Sequence, residues 1–176
     1  CYLYLNNNTI DGAVRYGIYV DRSTTGAGYC DDSGDDDILD ITNNTINSDN
    51  SSANNAYCGL HLANFQTDYD GTDYEVTSNL LEGFKYDVYL AASNRNHYFR
   101  SNEFSFGDNT DSSRKMLYLN GASDITIGGA PGDGNCFRAT LDGSEPNVYH
   151  IYNYGGANNI ASYNDYQGPQ RNGNII

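Results

Sequence analysis

The sequence predicts an all-β protein: a right-handed, single-stranded parallel β-helix (a solenoid) of about six coils with minimal helix. Three observations carry this. An Asn-x-apolar step recurs along the chain, an alternating apolar strand stands before each step and another after it, and no window sustains an i, i+3, i+4, i+7 stripe. The step occurs at Asn8/Ile10, Asn44/Ile46, Asn79/Leu81, Asn102/Phe104, Asn135/Phe137 and Asn164/Tyr166, spaced 36, 35, 23, 33 and 29 residues apart. A solenoid accepts such irregular spacing, because insertions sit in turns and leave the stacked strands alone.

Tyr2 to Val20 sets the pattern: a strand with Leu3 and Leu5 inward, an Asn turn, the step, a small turn, then Gly-Ile-Tyr-Val with Ile18 and Val20 inward. Later strands before the step are Leu39/Ile41, Tyr74/Val76, Tyr98 near Phe99, Ile125/Ile127 and Ile160 to Tyr163. Those after it are Leu60/Leu62, Val88/Leu90, Leu117/Leu119 and Tyr149/Ile151. Apolar placement at period 2, rich in β-branched and aromatic residues, is the strand signature. Three short strands in each repeat of roughly 30 residues suit a chain that pairs each strand with its equivalent one coil later, and parallel crossovers are right-handed. The recurring Asn then lines up at one corner, where it tolerates the left-handed backbone of a tight turn and its amides bond from coil to coil. Residues 173–176 read as the first strand of a seventh coil.

The chain resembles the right-handed parallel β-helix superfamily, the pectate-lyase-like and NosD-like repeat proteins. The resemblance is carried by Asn-Asn-Thr-Ile at 7–10 and 43–46, Gly-Ile-Tyr-Val at 17–20, Gly-Leu-His-Leu at 59–62, and Ile-Thr-Ile-Gly-Gly through Gly-Asp-Gly-Asn at 125–135. It covers nearly the whole chain and implies an architecture more sharply than an activity, since one fold hosts many functions. Lyases of that superfamily pair calcium-binding carboxylates with an Arg or Lys base. Lys85, Arg100, Arg114 and Lys115 are available here, but no lyase motif is present and no catalytic residue is assigned.

One β-helix domain over 1–176 is the natural count, with an excerpt of a longer solenoid or a filament subunit as the two readings of it. The net charge of −14 with only 9 Lys+Arg argues against nucleic acid, and no apolar run is long enough to insert in a membrane. Abundant Asn, Gly, Ser, Thr and Tyr with acidity point to an extracellular or cell-surface setting. Neither terminal coil reads as a cap, so head-to-tail self-association into filaments is expected alongside continuation in a longer chain.

Candidate site residues fall into four groups. Asp68, Asp70 and Asp73, in an Asp-x-Asp-Gly-x-Asp run, resemble the opening of a calcium loop, and Asp31, Asp35 and Asp37 supply further carboxylates, so calcium is the candidate cofactor. The middle residue of each Ile-x-Val strand points outward, giving a column of Tyr19, His61, Tyr89, Tyr118 and His150 that either stacks on glycans or packs against a neighbour. Cys30 lies in the long loop before the second coil and Cys58 opens that coil's last strand; the two form the expected disulfide, with small buried side chains as the alternative. Asn50, Asn7 and Asn43 open glycosylation acceptor sequences, the last two coinciding with the Asn corner. The function expected is a structural or adhesive extracellular module. The alternative is a fragment of a polysaccharide lyase or glycoside hydrolase acting on an acidic polysaccharide.

Overall fold

A computed structural model of the chain describes residues 2–21, 38–49, 57–65, 74–91, 94–107, 111–139, 147–167 and 172–173. Among these residues every named element is a strand, and the strands wind three to a coil. Coil one holds β1 (Tyr2–Asn6), β2 (Thr9–Ala13) and β3 (Tyr16–Asp21). Coil two holds β4 (Ile38–Thr42), β5 (Thr45–Ser48) and β6 (Cys58–Ala63). Coil three holds β7 (Tyr74–Thr77), β8 (Leu80–Glu82) and β9 (Tyr86–Leu90), and coil four holds β10 (His97–Arg100), β11 (Glu103–Ser105) and β12 (Lys115–Asn120). Coil five holds β13 (Thr126–Gly128), β14 (Cys136–Phe137) and β15 (Tyr149–Tyr154), and coil six holds β16 (Ile160–Ser162), β17 (Asp165–Tyr166) and β18 (Asn172–Gly173).

Equivalent strands pair in parallel from coil to coil, so the three sheets run β1-β4-β7-β10-β13-β16, β2-β5-β8-β11-β14-β17 and β3-β6-β9-β12-β15-β18. The chain is a parallel β-helix of six coils. The last short strand moves one boundary. Asn172 and Gly173 pair with Ile151 and Tyr152, so Gly173 belongs to the third sheet of coil six, and residues 174–176 of the expected seventh-coil strand lie outside the described residues.

The core is a set of like-on-like stacks. Ile10, Ile46, Leu81, Phe104, Phe137 and Tyr166 share one register row in the second sheet, with the Phe137 and Tyr166 rings stacked 4.9 Å apart and nearly parallel. Ile18, Leu60, Val88, Leu117 and Ile151 form the matching row in the third sheet, and all five are buried. Each such side chain contributes roughly 1.5–3 kcal/mol through the water it sheds.

In the first sheet the fourth coil departs from the expected reading. His97 pairs with Tyr74 and Phe99 with Val76, so His97 and Phe99 face inward and Tyr98 faces out. His97 is accommodated because its Nε2–H reaches Asn94 Oδ1 at 3.1 Å and its ring packs 5.0 Å from that of Tyr74.

The Asn corner divides its labour between two residues. Positive φ falls on the residue before the ladder Asn: Asn7, Asn43, Ser78, Ser101 and Tyr163 lie at 53–57°. The ladder asparagines themselves are not left-handed. They turn inward, and each Oδ1 accepts both the backbone N–H and the Nδ2–H of the Asn one coil earlier. This holds from Asn8–Asn44 through Asn44–Asn79, Asn79–Asn102 and Asn102–Asn135 to Asn135–Asn164, at 2.9–3.0 Å throughout. In coil five the preceding residue is Gly134, where a Cβ would stand 1.9 Å from the Tyr163 carbonyl oxygen, so only glycine fits.

Candidate functional site

The third sheet carries the site. Its outward row is Tyr19, His61, Tyr89, Tyr118 and Tyr152, each paired with the next in register. Tyr152 stands where His150 was expected. In coils two to five two neighbouring residues turn inward at the start of the third strand, and this breaks the alternation. Gly59, Asp87, Met116 and His150 are all buried immediately ahead of the inward residues Leu60, Val88, Leu117 and Ile151. His150 is fully enclosed, with its ring 5.1 Å from Tyr166 and its Nε2–H on the Ala139 carbonyl oxygen at 2.9 Å. In coil two the position belongs to Gly59, whose Cβ would lie 2.7 Å from the Asp87 carbonyl oxygen and against Leu81 and Phe84.

The same break turns a second row outward: Tyr16, Tyr86, Lys115 and Tyr149, with Cys58 in the slot between Tyr16 and Tyr86. Cys58 is too small to continue the row, and the Tyr57 ring bridges the gap at 5.8 Å from Tyr16 and 5.2 Å from Tyr86. Rings of the two rows touch throughout. Tyr16 lies 5.3 Å from Tyr19 and 5.6 Å from His61, Tyr89 lies 5.2 Å from Tyr118, and Tyr149 lies 4.8 Å from Tyr152. Most pairs are edge-to-face or tilted, the geometry that ring quadrupoles favour. Five coils at about 4.8 Å make this face about 20 Å long.

Cations border and enter the face. Arg15 sits over Tyr16 and Lys85 over Tyr86, while the Lys115 ammonium lies 5.4–5.5 Å from the ring centres of Tyr86, Tyr118 and Tyr152. Lys115 also donates to the Ser113 carbonyl oxygen at 3.1 Å, and Lys85 pairs with Asp111 at 3.2 Å. Partial burial, then the neighbouring Lys85 charge, lowers the Lys115 pKa, with Asp111 opposing.

Burial raises the Tyr57, Tyr86 and Tyr118 phenols. Tyr19 is raised as well, first by desolvation and then by Asp21, to whose carboxylate its hydroxyl donates. Desolvation lowers His61, so its imidazole is neutral near pH 7. The face therefore presents neutral rings with polar tips and a few ammonium and guanidinium groups. Such a surface can stack on the C–H faces of sugars while its hydroxyls and cations bond to their oxygens.

The other expected residues lie elsewhere. Asn7 and Asn43 are exposed at the corner between the first and second sheets, and Asn50 lies outside the described residues. The candidate calcium ligands Asp31, Asp35, Asp37, Asp68, Asp70 and Asp73 also lie outside them, and among the described residues no group of three His, Cys, Asp or Glu converges. Arg100 bridges to Glu75 at 3.3 Å on the first sheet, and Arg114 lies over the Phe106 ring.

The disulfide expectation falls on Cys30, which lies outside the described residues. Among the described residues Cys58 is a free, fully buried thiol whose Sγ–H points at the Leu60 carbonyl oxygen. Burial pushes its pKa well up, and Asp87 adds to the shift. An unreactive thiol follows. Alkylation of the native chain, read by peptide mass mapping, is expected to modify Cys136 and leave Cys58 untouched; labelling of Cys58 at the rate of Cys136 would refute the enclosure.

Three features escaped the sequence reading. Asn94 and Asn159 form a second set of inward amides, before the first-sheet strands. Asn94 Oδ1 accepts from the Phe65 amide and Nδ2 donates to Leu62, while Asn159 Oδ1 accepts from the Ile125 amide and Nδ2 donates to Ala122. An Asn shortly before each strand was the available signal. The second ring row was hidden by the alternation rule. The third feature is Asp87, fully buried with neither carboxylate oxygen hydrogen-bonded among the described residues. Its burial raises its pKa well above the usual carboxylate range and Glu82 adds to this, while the backbone amides of Phe84 and Ser105 oppose the shift.

The chain matches no protein-family model, no curated protein and no solved structure. Fold and surface together define it by class: a parallel β-helix with a two-row aromatic face on its third sheet.

Proposed function

We infer that the chain is an extracellular β-helix module of structural or adhesive type that works by contact, and that the aromatic face of the third sheet is its glycan-binding surface. The composition of that face supports the reading. The two rows contain Tyr, His and Lys around one enclosed Cys, with no Leu, Ile or Val among them, so the face offers ring surfaces edged by hydroxyls and ammonium groups, the chemistry that stacks on sugars and bonds to their oxygens. Tyr19 is 52% exposed, so ring area is available to a ligand at one end of the face. The Lys-poor, acidic composition supports the extracellular setting.

Binding to a panel of neutral and acidic polysaccharides, measured by affinity electrophoresis, tests this. Each stacking ring contributes about 1 kcal/mol, so Tyr118→Ala together with Tyr152→Ala is expected to weaken retardation by about 10- to 30-fold. A parent chain that binds none of the panel, or a double variant that binds as well as the parent, overturns the proposal and leaves protein packing as the use of this face.

A further inference from the structure

We propose that Tyr118 is a site of oxidative cross-linking that joins adjacent coils covalently, to Tyr86 in the coil before or to Tyr152 in the coil after. Its ring centre lies 5.3 Å from Tyr86 and 5.8 Å from Tyr152, tilted by 50° and 56°. At these angles a small rotation brings ring edges together, whereas Tyr89 meets Tyr118 nearly perpendicular, at 81°. The Lys115 ammonium lies over all three rings and holds them in one cluster.

The rest of the face delivers oxidising equivalents to this point. The chain has no Trp, its one Met (Met116) is fully buried, and Cys58 is enclosed, so tyrosine is the oxidisable group that this face offers. Tyr19 is half-exposed, and its hydroxyl donates to the Asp21 carboxylate at 3.2 Å, an acceptor for the phenolic proton when an electron leaves. From there ring contacts continue through His61 at 4.7 Å and Tyr89 at 4.8 Å to Tyr118.

The chemistry closes with hydrogen peroxide and a haem peroxidase as oxidant. Each of two phenols loses one electron and one proton to give a phenoxyl radical. The radicals couple through ring carbons ortho to oxygen, and the two ring hydrogens return to the oxygens as the rings regain aromaticity. The pair loses two electrons and two protons in all, and one peroxide takes them up to form two waters. A bond from Tyr118 to Tyr152 closes a loop of more than thirty residues and restricts the unfolded chain as a disulfide would.

The inference stands whether or not the face binds a glycan, because its readout is a mass. The full chain, kept dilute, is treated with peroxidase and limiting peroxide, then digested and mapped. The expected product is a monomer two hydrogens lighter per link, with a peptide joining Tyr118 to Tyr86 or Tyr152 and a thermal midpoint raised by about 5–10 °C. Tyr118→Phe keeps the ring and is expected to abolish these linked peptides. Should that variant fail to fold, Tyr86→Phe combined with Tyr152→Phe removes both partners and must do the same. Links confined to Tyr4, Tyr154 or Tyr163, links between chains only, or no links at all would overturn the proposal.

Discussion

Asn79→Ala is expected to cost about 4 kcal/mol and to lower the thermal midpoint by about 10 °C or more. Asn79 is the third rung of the ladder and is almost wholly enclosed. Its Oδ1 accepts from both the backbone amide and the Nδ2 of Asn44, and its own Nδ2 donates to Ile41 at 2.7 Å and to Asn102 at 3.0 Å. Alanine removes these four contacts and a fifth, from Nδ2 to the Thr77 carbonyl oxygen at 3.1 Å, and leaves the Asn44 backbone amide and one hydrogen of its Nδ2 buried without that acceptor, at about 1–3 kcal/mol for each orphaned group.

Asn8 ends the ladder at an exposed position and only donates its side chain to Asn44. Asn8→Ala should therefore cost about 1 kcal/mol or less. The contrast isolates the ladder from any general intolerance of the corner. Asn79→Asp adds a chemical check. It keeps the accepting oxygen but turns a second oxygen toward Ile41 and Asn102, which only a protonated acid can satisfy, so this variant should regain stability as pH falls. Denaturation of the three variants decides it, and equal losses for Asn8→Ala and Asn79→Ala would show that the ladder is not what holds the coils.

The ladder also explains how much of the molecule the sequence disclosed. The Asn-x-apolar step is tied to a hydrogen-bonded position, so it marked the second-sheet register at all six coils, down to the row from Ile10 to Tyr166. The first and third sheets have no such marker. There the inward positions were inferred from apolarity, which failed where a polar residue faces in. His97 is held by Asn94, and His150 by the Ala139 carbonyl, partners that no local pattern displays. The aromatic face was legible for the four members that sit inside an Ile-x-Val-like strand. It was illegible for Tyr16, Tyr86, Tyr149 and Tyr152, because strict alternation holds only after the two-residue inward step. Asp87, between Tyr86 and Val88, reads as an ordinary outward polar residue. Only the third dimension shows that the step has carried it inside.

Burial of Asp87 and His97 makes stability depend on pH in opposite senses, and their separation is the second large effect expected. Burial holds the His97 imidazole down at about 3, against 6.5 for the free side chain. The unfolded chain therefore binds a proton that the folded one refuses. The His97 contribution is complete above pH 6.5 and is lost as pH falls toward 3, on the order of 4–5 kcal/mol across the window. Asp87 behaves inversely. Its folded pKa is raised by burial, so its contribution is complete below the ordinary carboxylate value of 3.8 and is lost as pH rises through the folded value.

Each slope is about 1.4 kcal/mol per pH unit, so the two offset one another where their windows overlap, from about pH 4 upward, and above 6.5 His97 no longer contributes a slope. The groups facing Asp87 do not reverse this. Cys58 stays a neutral thiol, and Glu82 as a carboxylate deepens the shift. Asp87→Asn removes the titration while keeping the shape. Its unfolding free energy is expected to match the trend of the parent chain near pH 4 and to exceed it by a margin that grows as pH rises from there toward the raised folded value of Asp87. His97→Gln should do the converse, gaining on the parent chain below pH 6. Parallel curves for Asp87→Asn and the parent chain from pH 4 to 8 would mean that the carboxylate finds water or a partner when it ionises, and that the interior beside Gly59 and Met116 opens far enough to admit one.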